Sequence, residues 1–363
     1  MYLSNIKENP AQNHKEMTLV KRKNVTISDV ATLAHTSIAS VSYYLNNKTN
    51  KLGVATQERI AKAIHETNYI PNAQAQQLVG KQSHVISVIL LNNTNLWAGQ
   101  LLDGIEQIAL AEDYQTVVCT SNFDQEKELM YIDKMIALGI DGFILQPTNN
   151  FKAVEKHIRQ AGKPVVFCDC SLLGSDNYWA KTNLYDGIYT ATEILIQNGY
   201  NDFIGIGAKI GNSRTRMERH QGFCEAIQAY GKTSRFITVD YAVPTISYLR
   251  EYFKQNINPA KHTLIFVENQ WNLPRVFKSL KPLYQLIPNQ IGLFGIDCNN
   301  WTDLTKPTIT TLIEPVHELG EQICKTLINL LENKAPSNRQ ILLNCNINWQ
   351  ESTDYHKHSN NYA

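Results

Sequence analysis

The stretch from Val25 to Ser83 constrains this chain most. It reads VTISDVATLAHTSIASVSYYLNN, then the helical run ATQERIAKAIHETNYIPN, then AQAQQLVGKQS ahead of an apolar strand. Val30, Ala31, Leu33 and Ala34 recur at the spacing that gathers apolar side chains on one face of a helix, predicted over 28–34. Asp29 falls in its first turn, where the positive helix end favours a carboxylate. Ser37 suits the N-cap of a second helix over 38–45, with Val41 and Leu45 turned to the first helix. Ile38, Ala39, Ser40 and Tyr43 are then left for another surface. A third helix over 56–67 supplies Ile60, Ala61 and Ile64 to cover the pair. Two short helices joined by a three-residue turn make a helix-turn-helix unit. Such a unit is too small for an active site, and its second helix fits a DNA major groove.

With these residues in place, the chain resembles the lactose-repressor/galactose-repressor (LacI/GalR) family of bacterial transcription regulators. The resemblance rests on Thr26 and Asp29-Val30-Ala31, Ser37 with Ser40-Val41-Ser42, Leu45-Asn46, and Thr56 with Glu58-Arg59-Ile60. It runs on through Asn68-Tyr69-Ile70-Pro71-Asn72, Ala75-Gln76-Gln77-Leu78 and Gly80-Lys81-Gln82-Ser83, and then along almost the whole remaining chain. It implies a DNA-facing set of Thr26, Ser37, Ile38, Ala39, Ser40, Tyr43 and Asn46. It further implies a short hinge helix over 72–79, capped by Asn72, in which Ala75, Gln76 and Leu78 also face DNA. In that precedent Leu78 wedges into the central minor-groove step and kinks it.

Two positions depart from the family pattern. His35 stands in the turn where the family has Gly, which leaves either an unstrained turn or a left-handed backbone carried at a cost. Tyr43 stands where well-studied members place an Arg. A guanidinium fork bonds the O6 and N7 of guanine together, whereas a phenol offers one hydroxyl and a flat apolar ring. Ile38 and Ala39 suit thymine methyl groups, so an operator sequence cannot be copied from a relative.

The 363 residues, 43% apolar, are enough for a small domain and a large two-lobed one. The net charge of +1 hides an asymmetry. Residues 18–84 hold eight Lys and Arg against three Asp and Glu, and the rest of the chain holds 26 against 30, so +5 stands beside −4. The basic part is the part expected to meet phosphate. Seven cysteines are scattered, and Cys168 and Cys170 form a C-x-C without zinc-ligand spacing, which reads as reduced structural thiols. No run approaches a membrane span, and the first residues lack the apolar core of a signal peptide, so a cytoplasmic location is expected. Residues 1–17 read as a polar, disordered extension.

From Val85 the pattern changes to strands alternating with helices: VISVILL, TVVCT, GFILQ and PVVFCD, then, after Asn183, FIGIG, RFITVD, TLIFV and IGLFGI. Two successive α/β lobes with parallel sheets are expected, similar to the periplasmic-binding-protein-like, Rossmann-like core of the family. The assigned division is a helix-turn-helix domain at 18–70, a hinge at 71–84, a first lobe of 85–182 plus 315–339, and a second of 183–314 plus 340–363. Open parallel sheets bind ligands beyond their strand C-termini, so facing lobes make a cleft.

The resemblance fills that cleft. Trp97 follows Asn95-Leu96 where the family has Asn-Pro-aromatic, and its ring suits a sugar or base. Arg219, just before Gly222-Phe223, matches an Arg that holds hydroxyls or a carboxylate. Ser213 and Thr215 lie just upstream, Asn269 follows the LIFV strand, and Asp297 closes the FGI strand. Each residue has a plainer role open to it: Arg219 in a surface ion pair, Asp297 as a loop cap, Trp97 in the core. Asn269-Gln270 and Asp169-Cys170 replace the family's Asn-Asp and Asp-Arg.

No nucleotide-binding, hydrolase or metalloprotease motif occurs, and no catalytic residue, cofactor or metal is expected. The expected function is a homodimeric repressor of carbohydrate-utilisation genes, bound to a palindromic operator in double-stranded DNA. A sugar or sugar phosphate between the lobes would release it. Three alternatives stay open, a small-molecule binding protein whose head has lost DNA function, an enzyme on the two-lobed core, and a regulator that needs a purine-type co-repressor.

Overall fold

Three helices account for the head. The computed structural model describes residues 25–70, 82–148, 151–170, 176–211, 213–240, 244–297 and 301–354. The expectations for residues 1–17, and for Asn72, Ala75, Gln76 and Leu78 in the hinge, lie outside the described residues. The chain divides into two units between Lys81 and Gln82.

Helix α1 (Ile27–Leu33) opens with a capping box. The Thr26 hydroxyl accepts from the Asp29 amide at 3.3 Å, and the Thr26 amide donates to the Asp29 carboxylate at 2.8 Å. Ser37 caps α2 (Ile38–Leu45) by accepting from the Ser40 amide at 3.1 Å. Helix α3 (Val54–Thr67) ends at Asn68 in the left-handed region. Val30, Ala31, Ala34, Val41, Ile60 and Ala63 form the buried core. Two expectations are corrected here. Leu33 is 45% exposed, because it sits roughly 110° round α1 from the mean direction of Val30, Ala31 and Ala34. Ala63 is buried beside Ile60, whereas Ala61, expected to cover the pair with Ile60 and Ile64, is half-buried, because α3 presents the Ile60–Ala63 edge. The turn is held by the Arg59 guanidinium donating to the Ala34 carbonyl at 3.1 Å, and His35 within it has φ 47°. The left-handed alternative therefore holds for His35.

The second unit contains two six-stranded sheets, each with strands covered by helices. The first runs in the order β11 (Gln340–Asn344), β5 (Tyr178–Asn183), β4 (Val165–Cys168), β3 (Gly142–Leu145), β1 (Val85–Leu90), β2 (Gln115–Thr120), with every pairing parallel. The second runs β12 (Asn346–Asn348), β10 (Thr310–Ile313), β9 (Ile291–Asp297), β8 (Thr263–Val267), β6 (Asp202–Ala208), β7 (Ser234–Val239), and only the β10–β12 pairing is antiparallel. Central strands β3, β4, β8 and β9 are buried along their whole length, as strands covered on both faces must be, whereas β2, β7 and β11 at the edges are half open.

Strands β5 and β10 were not foreseen, because neither carries a continuous apolar run flanked by turn residues. The boundary set at 340 is also corrected. Gln340 pairs with Trp179 and Asn344 with Asn183, so β11 completes the first sheet and only β12 joins the second. The chain thus crosses between lobes at 183–184, 313–316 and 344–346. In the first lobe, α4 (Leu96–Ala111) packs on α11 (Val316–Leu331) with little room to spare. A Cβ at Gly104 would lie 2.1 Å from the His317 carbonyl oxygen, and one at Gly320 2.3 Å from that of Leu101. No described helix is long and apolar enough to cross a membrane.

Candidate functional site

In the head, the caps determine which polar groups remain for other work. Thr26, Ser37 and Asn46 are engaged locally, Asn46 through its amide donating to the Ser42 carbonyl at 2.6 Å. Ser40 is half-buried and its hydroxyl lies 2.9 Å from that of Ser37. Ile38 is 50% exposed and Tyr43 36%, with Ala39 exposed between them. These three form the open face of α2, since Ala39 and Tyr43 are four residues apart and lie one above the other. The Lys51 ammonium stands 5.0 Å from the Tyr43 ring centre, a cation beside the apolar face that the sequence reading missed.

Between the lobes lies a cavity of about 610 Å³, within the range of small-molecule sites. Its walls are strand ends. From the first lobe come Leu91, Asn92, Asn95 and Trp97 after β1, Phe123 after β2, Gln146 to Thr148 after β3, Phe151, and Asp169 with Cys170 after β4. From the second come Lys209 to Gly211 after β6, Ser213 to Arg216 and Arg219 at the start of α8 (Arg214–Ala229), and Asn269 to Trp271 after β8.

Five of the six predicted residues, Trp97, Ser213, Thr215, Arg219 and Asn269, line this space. Trp97 is 7% exposed and also belongs to the first-lobe core, which corresponds to the plainer role open to it. Ser213 caps α8, and the Thr215 hydroxyl donates across the lobes to the Asp169 carbonyl at 3.3 Å. The Asn269 side-chain oxygen accepts from the Ala208 amide at 2.7 Å. Asp297 is placed differently. It is buried, accepts from the Thr302 hydroxyl at 3.0 Å, and is not among the described residues that line the cavity, which corresponds to the loop-cap alternative.

Arg219 is no surface residue. Its guanidinium donates to the Glu268 carbonyl at 3.2 Å and lies 3.4 Å from the Glu314 carboxylate, which in turn accepts from the Thr182 hydroxyl at 2.7 Å. Lys181 and Glu218 make an ion pair from one lobe to the other. Asp169 completes the floor, accepting from the Gln146 amide at 2.8 Å. Loss of hydration pushes its pKa up to about 7, the Glu314 charge pushes the same way, and Arg219 with the Gln146 bond opposes them. The Cys170 thiol is raised by burial and by Asp169, which keeps it protonated and poorly nucleophilic. In the second lobe His220 lies 3.2 Å from Glu268, and that bond raises the imidazole pKa.

Sequence reading missed Asn92, Phe123, Gln146, Phe151, Asp169, Lys209, Arg214, Arg216 and Trp271. The available signal was the strand-end rule applied to every strand in turn, because each follows a strand C-terminus or opens the helix after it. Among the described residues no cluster of three or more His, Cys, Asp or Glu is arranged to hold a metal ion.

Comparison with known proteins covers both units. The family described as "Bacterial regulatory proteins, lacI family" matches residues 26–72. "Periplasmic binding proteins and sugar binding domain of LacI family" matches 83–255, and a periplasmic-binding-protein-like domain matches 192–353. A probable HTH-type transcriptional regulator, EndR of Paenibacillus polymyxa, is 27% identical over 90% of this chain and 98% of its own length. The HTH-type transcriptional regulator KdgR of Bacillus subtilis (strain 168) is 26% identical over 91% and 98%. Among solved structures, a lac repressor dimer bound to operator and the anti-inducer ONPF superposes with a TM-score of 0.80 at 22% identity, over 91% of this chain and 99% of that one. At that identity the likeness is one of fold.

Proposed function

The chain belongs to the lacI family of bacterial regulatory proteins, and from that premise we propose that it is a ligand-controlled transcription regulator, a repressor of carbohydrate-utilisation genes. One observation carries this reading: a helix-turn-helix head with an open apolar face on α2 precedes a two-lobed unit whose cavity is walled by both lobes. Regulation accounts for both parts.

The head of each protomer in a homodimer would place α2 in the major groove of one half-site, with Ile38, Ala39 and Tyr43 toward the bases and basic residues on phosphate. Trp97, Ser213, Thr215, Arg219 and Asn269 would hold a sugar or sugar phosphate. Because that ligand touches both lobes, it binds one interlobe geometry better than the other and shifts the population toward it. Coupling of about 1–3 kcal/mol then suffices to weaken operator binding 5- to 150-fold. The site of action would be the cytoplasm, where the operator is. The test is a gel shift with fragments from the gene's own neighbourhood. A specific, salt-sensitive band that a sugar or sugar phosphate weakens is expected, and absence of any specific band in every ligand state would sink the proposal.

A further inference from the structure

Resting on the reading of α2 as the groove-facing helix, we propose that Lys51, which lies outside that helix, is the base-reading cation of the head. Seated on the Tyr43 ring, its ammonium takes the O6 and N7 of one guanine in each half-site. The sequence of α2, IASVSYYL, contains no charged residue. Its Ser40 hydroxyl already lies 2.9 Å from that of Ser37. The open face of Ile38, Ala39 and Tyr43 therefore offers a base apolar surface and one phenol. Guanine presents two neighbouring acceptors in the major groove, and a cation that only donates is the group that satisfies both.

The loop after α2 delivers one. Asn47 turns the chain back with φ 55°, and the Lys48 amide then donates to the Tyr43 carbonyl at 2.9 Å. Residues Thr49–Lys51 form a single 3-10 turn. Gln57 of α3 clamps that turn, its side-chain amide donating to the Thr49 carbonyl at 3.1 Å and to the Leu52 carbonyl at 3.0 Å. Leu52 packs on the head core. Lys51 stands between these fixed points with its side chain exposed and its ammonium 5.0 Å from the centre of the Tyr43 ring. The negative face of the ring attracts the ammonium, so with the backbone held on both sides only the lysine stem has to be ordered on binding. Because Tyr43 lies on the open face of α2, a cation seated on its ring is brought to a base edge. Phosphate contacts, which carry no sequence information, need no such seat.

Selection of the full chain on palindromic duplexes with randomised half-sites, followed by gel shifts at several salt concentrations, tests this. The wild type is expected to prefer guanine at one position of each half-site, and exchanging that guanine for adenine in the selected operator is expected to cost about tenfold in affinity. Lys51→Gln removes the cation and Tyr43→Leu removes its seat, and each is expected to abolish the discrimination. Lys51→Arg and Tyr43→Phe, which keep the charge and the ring, are expected to retain it. Three results overturn the inference and leave the regulator reading intact. The selected half-site has no preferred guanine, or Lys51→Gln or Tyr43→Leu keeps the preference, or Lys51→Gln weakens every duplex alike and lowers the salt slope by about one, as loss of a phosphate contact does. A wild type that enriches no sequence at all removes both readings.

Discussion

Replacing Asp169 with Asn separates charge from shape in the floor of the cavity. The carboxyl titrates at about 7 rather than 3.8, so the folded chain holds its proton more tightly than the unfolded chain does. Stability therefore falls as the pH rises from about 4 to about 7, and the full penalty of the ionised group applies above that. A shift of about three units corresponds to roughly 4 kcal/mol at 1.36 kcal/mol per unit. Since Asp169 edges an open cavity, water screens part of this, and we expect about 2 kcal/mol. The amide preserves the size of the side chain, can accept from Gln146, and tolerates the left-handed backbone at φ 55° better than most residues. Asp169→Asn should therefore be stabilising by about 1 kcal/mol at pH 5 and by about 2 kcal/mol at pH 8. Urea unfolding followed by tryptophan fluorescence reads this cleanly, because all five tryptophans lie in the second unit. An effect of equal size at both pH values, or destabilisation at pH 8, would refute the account of why this carboxyl holds its proton.

Three further outcomes are expected. Arg219→Ala strips the buried Glu314 carboxylate of its cation and should cost about 3–5 kcal/mol in urea unfolding and abolish effector binding; unchanged calorimetry would remove Arg219 from the site. Tyr43→Arg should change the preferred half-site by about 1–3 kcal/mol at one position. A selection from randomised operators in which both proteins enrich the same bases would show that residue 43 does not face the groove. Gly320→Ala drives a methyl group into the Leu101 carbonyl and should cost about 1–3 kcal/mol of second-unit stability while leaving the unfolding of the head unchanged; a stability equal to the parent would show that α4 and α11 can part without cost.

The head was legible in the sequence because its determinants act within one or two helical turns. Thr26 with Asp29, and Ser37 with Ser40, are caps between residues three apart, and Val30, Ala34 and Val41 follow the helical period. The strand–helix alternation was legible for the same reason, since buried parallel strands announce themselves as apolar runs. What lay beyond reach depends on partners distant in the chain. Strand β11 alternates half-open residues with exposed ones, and nothing local tells whether it pairs with β5 or with β10. Asp297 and Asn269 end neighbouring strands with similar local sequence, yet a bond to Thr302 occupies one and the cavity takes the other. The proton on Asp169 is the extreme case. It depends first on burial, then on Glu314 favouring and Arg219 opposing it, in a floor where Thr182 meets Glu314 across 132 residues. Periodicity and capping are short-ranged and can be read along the chain. Electrostatic environment and sheet membership are sums over neighbours that only the folded chain assembles.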